Sequence, residues 1–196
     1  MPNANAQFGE SVMAGIGKSG DSTDMVSLGG VFTVTCYDSE GNLKWEDKFH
    51  NLVTSQGLQD LNTKYFKTTS PYTPAWYLGL IAGTGPTTFA AADTLATVSW
   101  TEFINYTGTT RNTMAFGTAT TATPSVIANT TGSGGSPSVY TINSSGGTIA
   151  GAFLTTIQNK STTGGVLFSE GDFTGGYKTV AAGDTVNVTY TFTANI

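Results

Sequence analysis

The chain holds one histidine, His50, and one cysteine, Cys36, so nucleophile-and-base chemistry would have to be built around these or around its carboxylates. His50 is the obvious general base, because an imidazole titrates near neutrality. It stands beside Asn51 at the end of an expected strand, and no Gly-x-Ser-x-Gly elbow supplies a nucleophile for it. A polar or interface role is expected for His50. Cys36 lies between Thr35 and Tyr37 in an apolar-rich run and reads as a small buried hydrophobe. A lone cysteine also leaves no intrachain disulfide and no cysteine-based zinc site.

Paired carboxylates for glycoside hydrolysis could come from Glu46, Asp47, Glu102, Glu170 and Asp172. Sugar-cleaving sites are also lined with aromatic and basic groups, whereas these carboxylates sit singly beside expected turns. Asp21-Ser22-Thr23-Asp24 and Asp38-Ser39-Glu40 offer oxygens to calcium, yet neither follows the twelve-residue calcium loop. Gly83-Thr84-Gly85 lacks the Lys-Ser/Thr that completes a phosphate cradle and reads as a β-turn. The expectation is therefore no catalytic residue, no cofactor and no metal site.

Composition narrows the remaining classes. Of 196 residues only 11% are charged, against roughly 25% in an ordinary soluble domain, while glycine occurs 25 times. The net charge is −5 with eight Lys plus Arg, of which Arg111 is the sole arginine. That removes the basic stripe that a phosphate backbone requires, so no direct nucleic-acid contact is expected. No run approaches the roughly 18 apolar residues of a membrane span, and the start lacks a basic end with an apolar stretch, so no membrane association is expected. A site of assembly in the cytoplasm follows from the same reading. The sequons at Asn105, Asn129 and Asn187 are expected by chance in so threonine-rich a chain.

The elements expected are almost all strands. Residues 1–28 mix glycines with Phe8, Val12, Met13, Ile16 and Met25, which predicts an extended N-terminal arm whose apolar anchors bind along a partner's surface. Residues 29–196 are expected to form a single domain. Its first strand is 31–37, a turn follows at 38–42, and the return strand runs from Leu43 to Val53. Thr54 or Ser55 caps a short helix near 56–67, with Leu58, Leu61 and Tyr65 as one apolar stripe. The apolar run 75–83 predicts a strand buried on both faces, and Asp93-Thr94-Leu95-Ala96 one helical turn near Trp100 and Phe103. Further strands are expected at 113–119, 123–128, 139–143, 148–157, 166–168, 177–180 and 184–193, with Gly-Ser tips between some of them. In the last, Val186, Val188, Tyr190 and Phe192 alternate with Thr185, Asn187, Thr189 and Thr191. The fold class expected is all-β with one short helix, a β-sandwich or jelly-roll-like barrel carrying the arm.

Four segments carry a likeness beyond fold class: 51–58 (Asn-Leu-Val-Thr-Ser-Gln-Gly-Leu), 77–85 (Tyr-Leu-Gly-Leu-Ile-Ala-Gly-Thr-Gly), 93–96 and 183–192, which opens on Gly-Asp-Thr. Together they make the chain resemble virion structural proteins of tailed bacteriophages over much of residues 30–194. The resemblance implies a homo-oligomeric capsid decoration (cement) protein that binds the major capsid protein and other virion proteins, with the virion as its location. It brings no catalytic residue. A tail, baseplate or fibre-attachment component is the alternative within that class, and a carbohydrate-binding module stacking sugars on Trp76, Trp100 or Tyr106 is the alternative outside it.

Overall fold

The computed structural model describes residues 26–67, 75–85, 87–130 and 135–195. The strands are β1 (Ser27–Tyr37), β2 (Leu43–His50), β3 (Leu52–Val53), β4 (Tyr77–Ala82), β5 (Glu102–Phe103), β6 (Asn112–Thr113), β7 (Ser125–Ala128), β8 (Ser138–Thr141), β9 (Gly147–Thr155), β10 (Leu167–Asp172), β11 (Lys178–Val180) and β12 (Thr185–Asn195). One helix, α1 (Ser55–Asn62), runs into a π turn at Thr63–Lys67. The chain is all-β, a sandwich of two antiparallel sheets. The first has the order β2-β1-β12-β7 with β8 also on β12; the second has β3-β10-β9-β4-β5, with β11 on β9 and β6 on β4.

Alternation builds the core. Phe32, Val34 and Cys36 of β1 and Val186, Val188 and Tyr190 of β12 point inward from the first sheet, and Leu78, Leu80, Ala152, Leu154 and Phe168 meet them from the second. The second sheet is buried on its other side as well. There Ile81, Ala150, Phe153 and Leu167 pack under Leu95 and Trp100, carried by the chain between β4 and β5. This explains why the β4 sequence is apolar without alternation. Gly79 is required opposite Phe153: a Cβ there would lie 2.2 Å from the ring.

Several expectations change in detail. The return strand from Leu43 to Val53 is two strands in different sheets, because Asn51 ends the first ladder by donating its backbone N–H to the Gly30 carbonyl at 3.0 Å. Leu52 and Val53 then pair with Glu170 and Ser169. Of the run 113–119 only Thr113 lies in a strand, at the end of β6, and the rest is a crossing: Met114 N–H bonds to the Trp76 carbonyl beside the second sheet, and Gly117 N–H to the Ala128 carbonyl in the first. Strand β10 extends through Ser169, Glu170, Gly171 and Asp172, and β1 begins at Ser27, two residues inside the expected arm.

The helix departs most from its sequence pattern. Thr54 is the N-cap, its hydroxyl accepting from Gly57 N–H at 3.0 Å. The residue it buries is Gly57, not a stripe of Leu58, Leu61 and Tyr65. A Cβ at Gly57 would stand 2.4 Å from the Phe168 carbonyl, so glycine permits α1 to lie directly on β10. Leu61 packs against the core, whereas Leu58 and Tyr65 are exposed, Tyr65 by 80%.

Candidate functional site

The residues with chemical potential are dispersed. His50 and Glu46 lie on the outward face of β2, and Asp47 points inward to the chain at 174–178. Asp47 accepts from Thr174 Oγ1 at 2.8 Å and pairs with Lys178 at 3.4 Å. Burial opposes its charge, but bonds from Thr174 and Gly175 outweigh that and hold its carboxyl below the usual range. Asp172 is exposed and accepts from Thr87. Asp38 is a turn staple, accepting from Glu40 N–H at 2.9 Å and Asn42 N–H at 2.8 Å. The other calcium candidate, 21–24, lies outside the described residues, and among those described no three His, Cys, Asp or Glu side chains converge on a metal position. The turn at Gly83-Thr84-Gly85 bonds to Thr148, Thr101 and Tyr177.

The remaining carboxylates are buried and partnered. Glu102 receives Arg111 through Nε at 2.8 Å and Nη2 at 2.9 Å, a two-pronged pair sealed at the edge of the second sheet. Glu170 is fully enclosed; its Oε2 accepts the Trp100 indole N–H at 2.7 Å, and its Oε1 has no partner. Burial is the main reason its carboxyl is pushed up to about 8, a rise the Trp100 bond opposes and neighbouring Asp93 reinforces. At neutral pH Glu170 is thus protonated, and it fastens the covering segment to β10. Sequence alone presented it as one carboxylate among several, because its indole partner is 70 residues away.

Cys36 is buried as expected, near Asp184, which closes the Gly-Asp-Thr turn by accepting from Ala181 N–H at 2.7 Å and Lys44 at 2.5 Å. Trp100 and Tyr106 are buried, and Trp45 and Trp76 are half-buried against the core. A sugar-stacking platform on Trp100 or Tyr106 would need both rings turned outward. Asn129, inside one sequon, is fully enclosed.

Two surfaces stand out. The first is the outer face of the first sheet, where outward positions of β1, β12 and β8 fall in register: Val31 opposite Thr191, Thr33 opposite Thr189, Thr35 opposite Asn187, and Asn187 opposite Val139. None of these side chains is charged; on this sheet the outward charges stand on the β2 edge strand at Glu46, opposite Thr35, and Lys48, opposite Thr33. The second is an apolar pocket of about 480 Å³ at the end of the sandwich, between α1 and the two sheets. The arm anchors Phe8, Val12, Met13, Ile16 and Met25 lie outside the described residues.

No family model, curated protein or solved structure matches the chain.

Proposed function

We propose that this chain is a non-catalytic bacteriophage virion structural protein, and that it acts as a capsid decoration, or cement, protein bound to the major capsid protein and to sister copies. The observation that carries the reading is the uncharged stretch of the first sheet's outer face across β1, β12 and β8, bordered by Glu46 and Lys48 of the edge strand β2. The second sheet has its outer face covered by the chain's own segment around Leu95 and Trp100, whereas the central threonines of the first, Thr33, Thr35, Thr189 and Thr191, remain half-exposed. Short hydroxyl and methyl groups on a pleated surface are inexpensive to take out of water, whereas charges are costly. Interface cores are depleted in charge for the same reason. Many copies, each with a modest contact, hold a shell through symmetry and multivalency.

The test is to add the protein to capsids that lack it and count bound copies by electron microscopy. Wild-type protein is expected to occupy symmetric sites on heads. Thr189→Lys, which puts an ammonium in the centre of the face, should keep the fold and lose about tenfold or more in affinity. Binding to tails instead would favour the tail reading, and heads left bare by wild-type protein would end the proposal.

A further inference from the structure

We propose that the apolar pocket beside α1 is the seat of the chain's own N-terminal segment, filled by the uncharged run 11–17 through Val12, Met13 and Ile16. The pocket measures about 480 Å³, within the size range of built ligand sites, and takes walls from every layer. Leu61 and Tyr65 come from the helical segment, Ile127 and Phe192 from the first sheet, Leu154 and Phe168 from the second. Among the described residues its charged lining is confined to Asp60 and Lys64 on the helical wall. Water in such a space finds few polar partners, so an apolar occupant is favoured.

The position of the chain's start selects the occupant. Strand β1 runs out of the sandwich beside the pocket: Gly30 lies opposite Phe192, and Leu28 opposite Ala194. Beyond them Val26 and Leu28 line a shallow hollow with Leu58, on the same helix that walls the pocket. The stretch from Gly30 to Val26 spans about 13 Å as a strand, and the 25 residues before Val26 reach as far as about 80 Å when extended. The return to the pocket is therefore well within reach, and loop closure grows costly only slowly with length.

Composition selects which part enters. Residues 1–17 carry a single ionisable side chain, Glu10, and hold Phe8, Val12, Met13 and Ile16, whereas Lys18, Asp21 and Asp24 follow in the part nearer the fold. The charged part suits a solvated connection, and the uncharged part suits a dry site. Tethering raises the local concentration of the segment to about the millimolar range, so it outcompetes a free partner of equal intrinsic affinity. The inference concerns the free subunit and does not depend on the virion reading; a capsid surface that binds the same segment would have to draw it from this seat.

The experiment uses the full chain with a nitroxide on Ser11→Cys, the native Cys36 being buried. Methyl signals of Leu61, Ile127 and Leu154 should broaden strongly, and that of exposed Val139 should not. Mixing nitroxide-bearing chains with separate isotope-labelled chains should abolish the broadening. If it persists in the mixture, the occupant is a neighbour's segment and the proposal is overturned. The full-length variant Val12→Ser/Met13→Ser/Ile16→Ser should bind an anilinonaphthalene dye about tenfold more tightly than wild type, because its intramolecular competitor is gone. Equal dye binding, or no selective broadening in the single-chain sample, overturns the proposal too.

Discussion

The side chain of Asn129 completes the backbone ladder of Tyr190, its Oδ1 accepting the Tyr190 N–H at 2.8 Å while its Nδ2 donates to the Val188 carbonyl at 3.1 Å. Strand β12 pairs with β8 along 185–188 and with β7 along 191–194, which leaves a gap at its middle. Asn129 fills that gap by presenting an amide where a strand would present a peptide.

Asn129→Ala leaves the Tyr190 donor in a sealed site without its partner. The orphaned donor costs about 1–3 kcal/mol and the lost bond to the Val188 carbonyl about 1 more, so a loss of about 2–4 kcal/mol is expected. At this chain length that corresponds to a fall in Tm of roughly 4–16 °C. Asn129→Asp keeps the acceptor but loses the donor and adds a buried charge, so it should not restore stability. Urea unfolding of the two variants checks both statements; an unchanged midpoint for Asn129→Ala would refute the bridging role.

Glu170 makes stability depend on pH in a definite direction. Its folded pKa of about 8 lies above the ordinary value of 4.5, so the folded chain binds an extra proton between these limits. The contribution is fully present below pH 4.5 and is lost as pH rises through 8. Glu170→Gln keeps a neutral group of the same shape and can still accept from Trp100. It should match wild type near pH 5 and exceed it at pH 9 by on the order of 4 kcal/mol, the linkage value for a pKa raised from 4.5 to about 8. Thermal melts across that range decide the matter, and parallel profiles would contradict the buried acid. Asp47, whose carboxyl is held low, acts in the opposite sense: its contribution is lost as pH falls below the usual carboxylate range.

Much of this arrangement is legible in the chain and some is not, for physical reasons. Alternation identifies β1 and β12 because one face of each meets the core and the other does not. A continuous apolar run marks β4 for the complementary reason that both its faces are covered. Strand β10 escapes the pattern: Ser169 and Glu170 are polar, and their partners, Trp100 on Glu170 and the paired Leu52 and Val53, come from elsewhere in the chain. The break at Asn51 is equally non-local, since nothing in 43–53 says that Leu52 will find β10. The uncharged outer face was readable in the last strand, whereas the pocket was not, because its walls come from residues spread between 60 and 192.

Gly57 tests how closely α1 must approach β10. The Cβ of Gly57→Ala would press on the Phe168 carbonyl, and a backbone atom has no rotamer by which to retreat. The gain in helix propensity, about 1 kcal/mol, should be outweighed by an overpacking cost of about 1–3 kcal/mol. A net loss of stability is expected, together with displacement of Thr54 from its bonds to Gly57 and to the Leu167 carbonyl. Unfolding experiments measure the first and amide chemical shifts at Gly57 and Leu167 the second; a more stable Gly57→Ala protein would mean that α1 does not sit against the strand.

Cys36 provides a reporter for the integrity of the first sheet. Burial, and then the nearby Asp184 carboxylate, push its thiol up to about 11, and its Sγ lies 4.0 Å from Asp184 Oδ2. At pH 8 only about one molecule in a thousand would carry the thiolate, which is the form that attacks a disulfide reagent. Enclosure between β1, β2 and β12 further denies the reagent an in-line approach. Native protein is therefore expected to resist a chromogenic aromatic disulfide over hours, and to react with one equivalent as soon as urea unfolds it. The labelling rate at low denaturant then measures how often the sheet opens. Prompt stoichiometric labelling of folded protein at pH 8 would show that Cys36 is not sealed, and would remove the physical reason for treating it as part of the core.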